Sequence, residues 1–240
     1  MRRAAAAALT LALAACAPDA ADAPARVDPA RYDAFYLWAG VHPSAVLARA
    51  RTVYLLAGEV RRDGTYLPLR GTPAVRGAQV WLVIRAARTG WAPAVEARII
   101  AELDRWAARN RLAGLQVDFD SSTRGLAGYA AFLTALRQRL PPRYRLSATG
   151  LMDWGTNGDP AALDSLVGVL DEIVVQTYQG RRTIPGYATY LEALRRLRVP
   201  HRIAVVEGGE WREPAGLRAD PGYRGTVVFL LPQRREPLSP

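Results

Sequence analysis

Gly114-Leu115-Gln116-Val117-Asp118-Phe119-Asp120-Ser121-Ser122 is the stretch that decides how this chain folds. Its residues alternate with the two-residue period of a β-strand. Leu115, Val117 and Phe119 share one face, and Gln116, Asp118 and Asp120 share the other. Helix-like segments flank it on both sides, which predicts a parallel sheet covered by helices rather than an antiparallel sheet with one wet face. The polar face then points into a barrel or cleft. Two carboxylates there are costly to bury unless they are paired or used, so this strand is the first place to look for chemistry.

Working outward, the same pattern recurs. Upstream, Phe35-Tyr36-Leu37-Trp38, Thr52 to Val60 and Gln79 to Arg85 read as strands, with a short helix from Pro43 to Ala50 and a hairpin turn at Arg62-Asp63-Gly64-Thr65. Pro93 opens a helix on which Val95, Ile99, Leu103 and Trp106 recur at helical spacing. Downstream, Gly125 to Leu140 reads as an amphipathic helix stopped by Pro141 and Pro142, and Tyr144 to Leu151 as a strand. Asp159 is placed to cap a helix that starts at Pro160 and runs to about Leu170. Glu172 to Tyr178 is a strand, Pro185 to Arg198 a helix, His201 to Glu207 a strand and Thr226 to Leu231 a strand.

Eight strands that mostly alternate with helices predict the α/β class and a (β/α)8 TIM-like barrel. A hairpin replaces the second helix and the last unit lacks one, so the barrel is expected to be irregular and short of helices. A smaller or partly open barrel, or a doubly wound open sheet, is the alternative. A single barrel domain is expected over residues 31–240.

The chain of 240 residues begins with Arg2 and Arg3, an apolar run from Ala4 to Ala15, and then Cys16. This has the layout of a secretory signal and is too short to span a bilayer as a mature helix. Leu13-Ala14-Ala15-Cys16 resembles the lipobox of bacterial lipoproteins, which implies removal of the signal before Cys16 and lipidation of Cys16 as the new N-terminus. Ala17 after the cysteine implies the outer membrane. Residues 17–30, rich in Ala, Pro and Asp, read as a tether. An exported protein anchored in the cell envelope by lipid is the expectation.

The formal net charge is +10, but none of the 32 basic residues is lysine, and the arginines are scattered rather than gathered beside aromatic platforms. That argues for compositional bias and against nucleic acid as a partner. Cys16 is the only cysteine, so no intrachain disulfide can form and no thiol remains in the body. His42 and His201 are the only histidines, so no metal site and no cofactor are expected.

In a barrel of this kind the site lies at the C-terminal ends of the strands. Those ends carry Trp38, His42, Glu59, Arg85, Asp118, Asp120, Asp153, Trp154, Gln176, Tyr178, Glu207, Glu210 and Trp211. Carboxylates beside an amide, a phenol and indoles suit a sugar site. Carboxylates supply acid and base chemistry, and indoles stack on sugar rings. The same side chains also serve barrels as loop caps and core packing.

Gly114 to Asp120 resembles the signature strand of family-eighteen glycoside hydrolases, the chitinase-like barrels, which reads D-G-x-D-x-D-x-E. The resemblance places Asp118 at the last aspartate and Asp120 at the general acid. Gln176-Thr177-Tyr178 resembles the M-x-Y segment whose tyrosine supports the substrate's acetamido oxygen. Ala113 and Gln116 replace the first two aspartates, and Asp120 is one methylene shorter than glutamate. Misplacing an acid by about 1.5 Å can cost on the order of 100-fold in rate. As a whole the chain resembles a bacterial lipoprotein family described as glycosidase-like barrels, through Phe35-Tyr36-Leu37-Trp38, Gln116-Val117-Asp118-Phe119-Asp120 and Val175-Gln176-Thr177-Tyr178.

These resemblances imply a barrel that binds and hydrolyses a glycan. Asp120, Asp118 and Tyr178 are the expected catalytic residues, and Gln176, Asp153, Trp154, Trp38 and Glu207 the expected substrate contacts. A glycan-binding or envelope-assembly protein that uses the same cleft without turnover is the rival.

Overall fold

A computed structural model of the chain describes residues 25–38, 41, 45–69, 75, 77–194 and 197–232. Cys16 and His42 lie outside the described residues. Eight parallel strands form the body: β1 (Ala34–Leu37), β2 (Thr52–Val60), β3 (Gln79–Ala86), β4 (Arg111–Asp118), β5 (Arg145–Leu151), β6 (Glu172–Gln176), β7 (His201–Val206) and β8 (Tyr223–Phe229). They pair in chain order, and β1 pairs in parallel with both β2 and β8. That double pairing closes the barrel and excludes the open doubly wound sheet.

Alternation along each strand creates two apolar layers. Leu115, Val117, Ile173, Val175, Ile203 and Val205 face outward into the cluster beneath the helices. Tyr36, Tyr54, Trp81, Val83, Val174, Ala204 and Val227 fill the barrel. Helix α1 (Pro93–Ala107) has Pro93 in its first turn and buries Val95, Ile99 and Leu103 against the outer layer. Helix α2 (Leu126–Arg139) buries Leu126, Ala130, Leu133 and Leu136. The two are tied by Arg139, which donates to the buried Glu96 carboxylate through Nε at 2.5 Å and Nη2 at 2.6 Å.

The remaining helices are shorter than the sequence pattern predicts. After β5 come α3 (Trp154–Asn157) and α4 (Pro160–Ser165). Asp159 does cap α4, accepting from the Ala161 amide at 3.0 Å, but the helix stops well before Leu170, and Gly168 takes φ +79° in the turn beyond it. Helix α5 covers Tyr187–Ala193. A hairpin strand, Tyr66–Pro68, follows β2, and among the described residues only a single 3₁₀ turn at Leu217–Ala219 follows β7 before β8.

The last residues of the stretch read as a tether, 25–30, are among the described residues and pack on the barrel. Ala25–Arg26 pairs antiparallel with Glu210–Trp211, and Val27 is buried.

Candidate active site

The barrel interior is polar in three tiers. At the floor, Tyr54 Oη donates to Glu172, whose other oxygen accepts from Arg202 Nε at 2.9 Å. In the middle, Tyr36 Oη donates to Gln116 Oε1 at 2.7 Å, and Gln116 Nε2 donates to Ser147 Oγ at 2.9 Å. Every group in these two tiers has a partner, as buried polar groups require.

The upper tier is different. Sheet register sets Glu59, Arg85 and Asp118 side by side on β2, β3 and β4. Residues paired in a sheet share a face, and Trp81 and Val83 on β3 point inward, so this row lines the mouth. Asp118 is 9% exposed. Burial, first, and the nearby Asp120 charge, second, push its carboxyl up to about 6, while Thr149 and Arg85 pull it back. Phe119 N donates to Thr149 Oγ1 at 3.2 Å, which leaves the hydroxyl hydrogen for Asp118. Asp120 lies two residues past the end of β4, is exposed, and accepts no hydrogen bond among the described residues.

Across the mouth stand aromatic rings. Trp38, just past β1, lies 5.3 Å from Phe229 at the end of β8, and Tyr178, just past β6, lies 5.4 Å from the same ring. Tyr36 lies beneath, 5.8 Å from Trp38. Tyr178 reaches Phe229 over β7, where Ala204 offers only a methyl group inside the barrel. Burial raises the Tyr178 phenol well above the tyrosine range, and the charges of Asp118 and Asp120 raise it further, which puts phenol and carboxylates in one site. Gln176 ends β6 on the same face as Glu172 and Val174, and is half-buried.

The structure therefore brings together Asp118, Asp120, Tyr178, Gln176 and Trp38. Two expected contacts are engaged elsewhere. Trp154 is a correction: it is 1% exposed, donates from Nε1 to Ser121 O at 3.0 Å and packs edge-to-face on Tyr129. The indole lies in the outer layer over Gly150, where a side chain would crowd it, so it cannot stack on a sugar at the mouth. Glu207 spends its carboxylate on the Leu231 amide, accepting at 2.8 Å, and so holds the chain after β8. Asp153 sits beyond β5, its carbonyl accepting from Asn157 N at 2.8 Å and its Oδ1 buried without a partner among the described residues. Trp211 is also packed away, stacked on Tyr187 at 4.9 Å. Tyr36 and Phe229 belong to the site but were not among the expected contacts. Both sit at inward parity on their strands, the signal that could have found them.

A search of solved structures finds the same architecture. The chain superposes on a tamarind chitinase-like lectin with a TM-score of 0.52 and 12% identity, covering 82% of this chain and 94% of the lectin. The fold is that of the chitinase-like barrels. Against a class V chitinase from Nicotiana tobaccum the TM-score is 0.52 at 14% identity, over 72% of this chain and only 65% of that one. A xylanase-alpha-amylase inhibitor protein, solved with trehalose, gives 0.51 at 11% identity over 82% of this chain and 92% of its own. Residues 85–184, from the end of β3 to the loop after β6, match a domain of unknown function, DUF3142. No curated protein matches the sequence.

Proposed function

We propose that the barrel mouth binds a glycan and cleaves a glycosidic bond, with Asp118 as the proton donor. The observation that carries this reading is the buried Asp118 carboxyl. It is held near neutrality at about 6, opposite the aromatic wall of Trp38, Phe229 and Tyr178. A general acid works best when its pKa lies near the working pH, and aromatic rings bind sugar faces. The resemblance gives the acid role to Asp120, but that residue is exposed and no hydrogen bond orients it among the described residues. Asp120 instead positions water at the rim, while Tyr178 and Gln176 hold the ring.

The test is release of new reducing ends from a panel of bacterial and plant polysaccharides by the domain expressed without residues 1–16. Release that is abolished in Asp118→Asn and only reduced in Asp120→Asn supports the assignment. Loss in Asp120→Asn with activity retained in Asp118→Asn overturns it. The unoriented Asp120 also favours a second reading, a glycan receptor without turnover, which binding with no release in either form would establish.

We also propose that the chain is exported and anchored by lipid at Cys16 in the cell envelope, on the strength of the apolar run and the Leu13-Ala14-Ala15-Cys16 motif. Metabolic labelling with a fatty acid that is lost in Cys16→Ser supports this, and unchanged labelling removes it.

A further inference from the structure

Beside the mouth, Tyr178–Gln179 and Arg182–Thr183 form a small antiparallel hairpin, and Ala25–Arg26 pairs with Glu210–Trp211. Between the two ribbons lies a cavity of about 270 Å³ lined by Arg26, Arg181, Arg182, Thr183, Gly209 and Glu210. Three guanidinium groups there face a single carboxylate. Arg26 donates from Nη1 to Gly208 O at 2.9 Å and Arg181 from Nη2 to Pro232 O at 3.3 Å. Both bonds go to backbone carbonyls, which fix the guanidinium groups in place without neutralising them. The Arg182 guanidinium makes no hydrogen bond or ion pair among the described residues, and neither does the Glu210 side chain.

The cavity also contains an unmet polar group. Thr183 Oγ1 is buried and has no partner among the described residues, a state that costs free energy. Gly209 packs closely against that hydroxyl, where a Cβ would lie 2.8 Å from Thr183 Oγ1, so recognition in the cavity falls to the guanidinium groups. Guanidinium forks held in place in this way match an oxyanion, which accepts two parallel N–H bonds from one arginine.

We infer that this cavity is an anion subsite that selects glycans carrying a carboxylate or a phosphate ester. Thr183 pairs in register with Tyr178, whose ring stands in the aromatic wall of the mouth. The hairpin that carries Tyr178 to the wall thus also carries Arg182 and Thr183 to the cavity. This inference rests on the glycan reading for its substrate, although the anion site itself does not.

Binding measured by calorimetry on the domain lacking residues 1–16 tests it, with inorganic phosphate, a polygalacturonate oligomer, its neutral methyl ester, and a phosphorylated oligosaccharide as probes. Arg182 and Arg181 are exposed, so Arg182→Ala and Arg181→Ala are not expected to disturb folding. The expected result is tighter binding of an acidic oligomer than of its neutral counterpart. That difference should fall about 10-fold or more in Arg182→Ala, the order of a charge-assisted hydrogen bond. The uronate and the phosphorylated probe separately tell which oxyanion is preferred. Equal binding of acidic and neutral oligomers, unchanged in both variants, overturns the subsite while leaving the glycan reading intact. Phosphate binding that is lost in Arg182→Ala, with no oligosaccharide bound at all, keeps the anion site and removes the glycan reading.

Discussion

Arg85 and Asp118 are paired in register on neighbouring strands of the barrel mouth, yet no ion pair joins them. Arg85 is exposed while Asp118 is buried, so the guanidinium stays in water and only partly offsets the cost of a charge below it. The carboxyl is consequently raised from 3.8 to about 6. A raised acid stabilises the fold below its unfolded value, and that contribution is lost as pH rises through about 6. Asp118→Asn removes the ionisable group. Its stability relative to the parent should be unchanged near pH 3.5 and greater by about 1–3 kcal/mol at pH 8. Urea unfolding at both pH values measures this, and a variant no more stable than the parent at pH 8 contradicts it.

If Asp118 donates the proton, kcat/KM should fall as pH rises through about 6. Arg85 lowers that value, so Arg85→Ala should move the midpoint upward, by about one unit at most. A pH–rate profile of the two proteins decides the point. A midpoint that stays put, or moves down, would mean that another group supplies the acid.

Strand positions were legible because strands covered on both sides are near-continuous apolar runs, as in Val53 to Leu56 and Val80 to Ile84. The inward face of β4 followed from alternation alone. The Glu59–Arg85–Asp118 row did not. Tyr54 and Leu56 point inward at even positions, and a register shift between Leu56 and Gly58 turns the odd-numbered Glu59 to the same side. Nothing local in the sequence announces that bulge. Trp154 was misread for a related reason. Past the end of β5 the alternation no longer applies, and the chain turns into α3 with the indole folded outward. Helices α4 and α5 end early because packing on the barrel, rather than propensity, sets their length.

Gly114 is required by geometry rather than by chemistry. A Cβ built there would lie 1.9 Å from Arg145 O on β5, so any side chain must push the two strands apart. The register between β3 and β4 shifts at the same place, which brings β4 back into step before Gln116 and Asp118. Gly114→Ala should therefore cost about 3 kcal/mol or more and reduce glycan binding with it. Thermal unfolding followed by circular dichroism measures the first effect. A melting temperature within about 2 °C of the parent would show that the strands accommodate the methyl group.

The floor of the barrel gives the sharpest contrast between breaking a buried charge pair and removing it. Glu172 accepts from both Tyr54 and Arg202, and it is nearly inaccessible to solvent. Arg202→Met leaves that carboxylate buried with only the tyrosine hydroxyl, at an expected cost of about 3–5 kcal/mol. Adding Glu172→Gln removes the stranded charge while keeping an acceptor for Tyr54, so the double variant should recover much of the loss. The coupling is read from denaturant unfolding of the parent, both single variants and the double. Costs that simply add would mean that water reaches Glu172 in the Arg202→Met protein, and the floor would then be open rather than sealed.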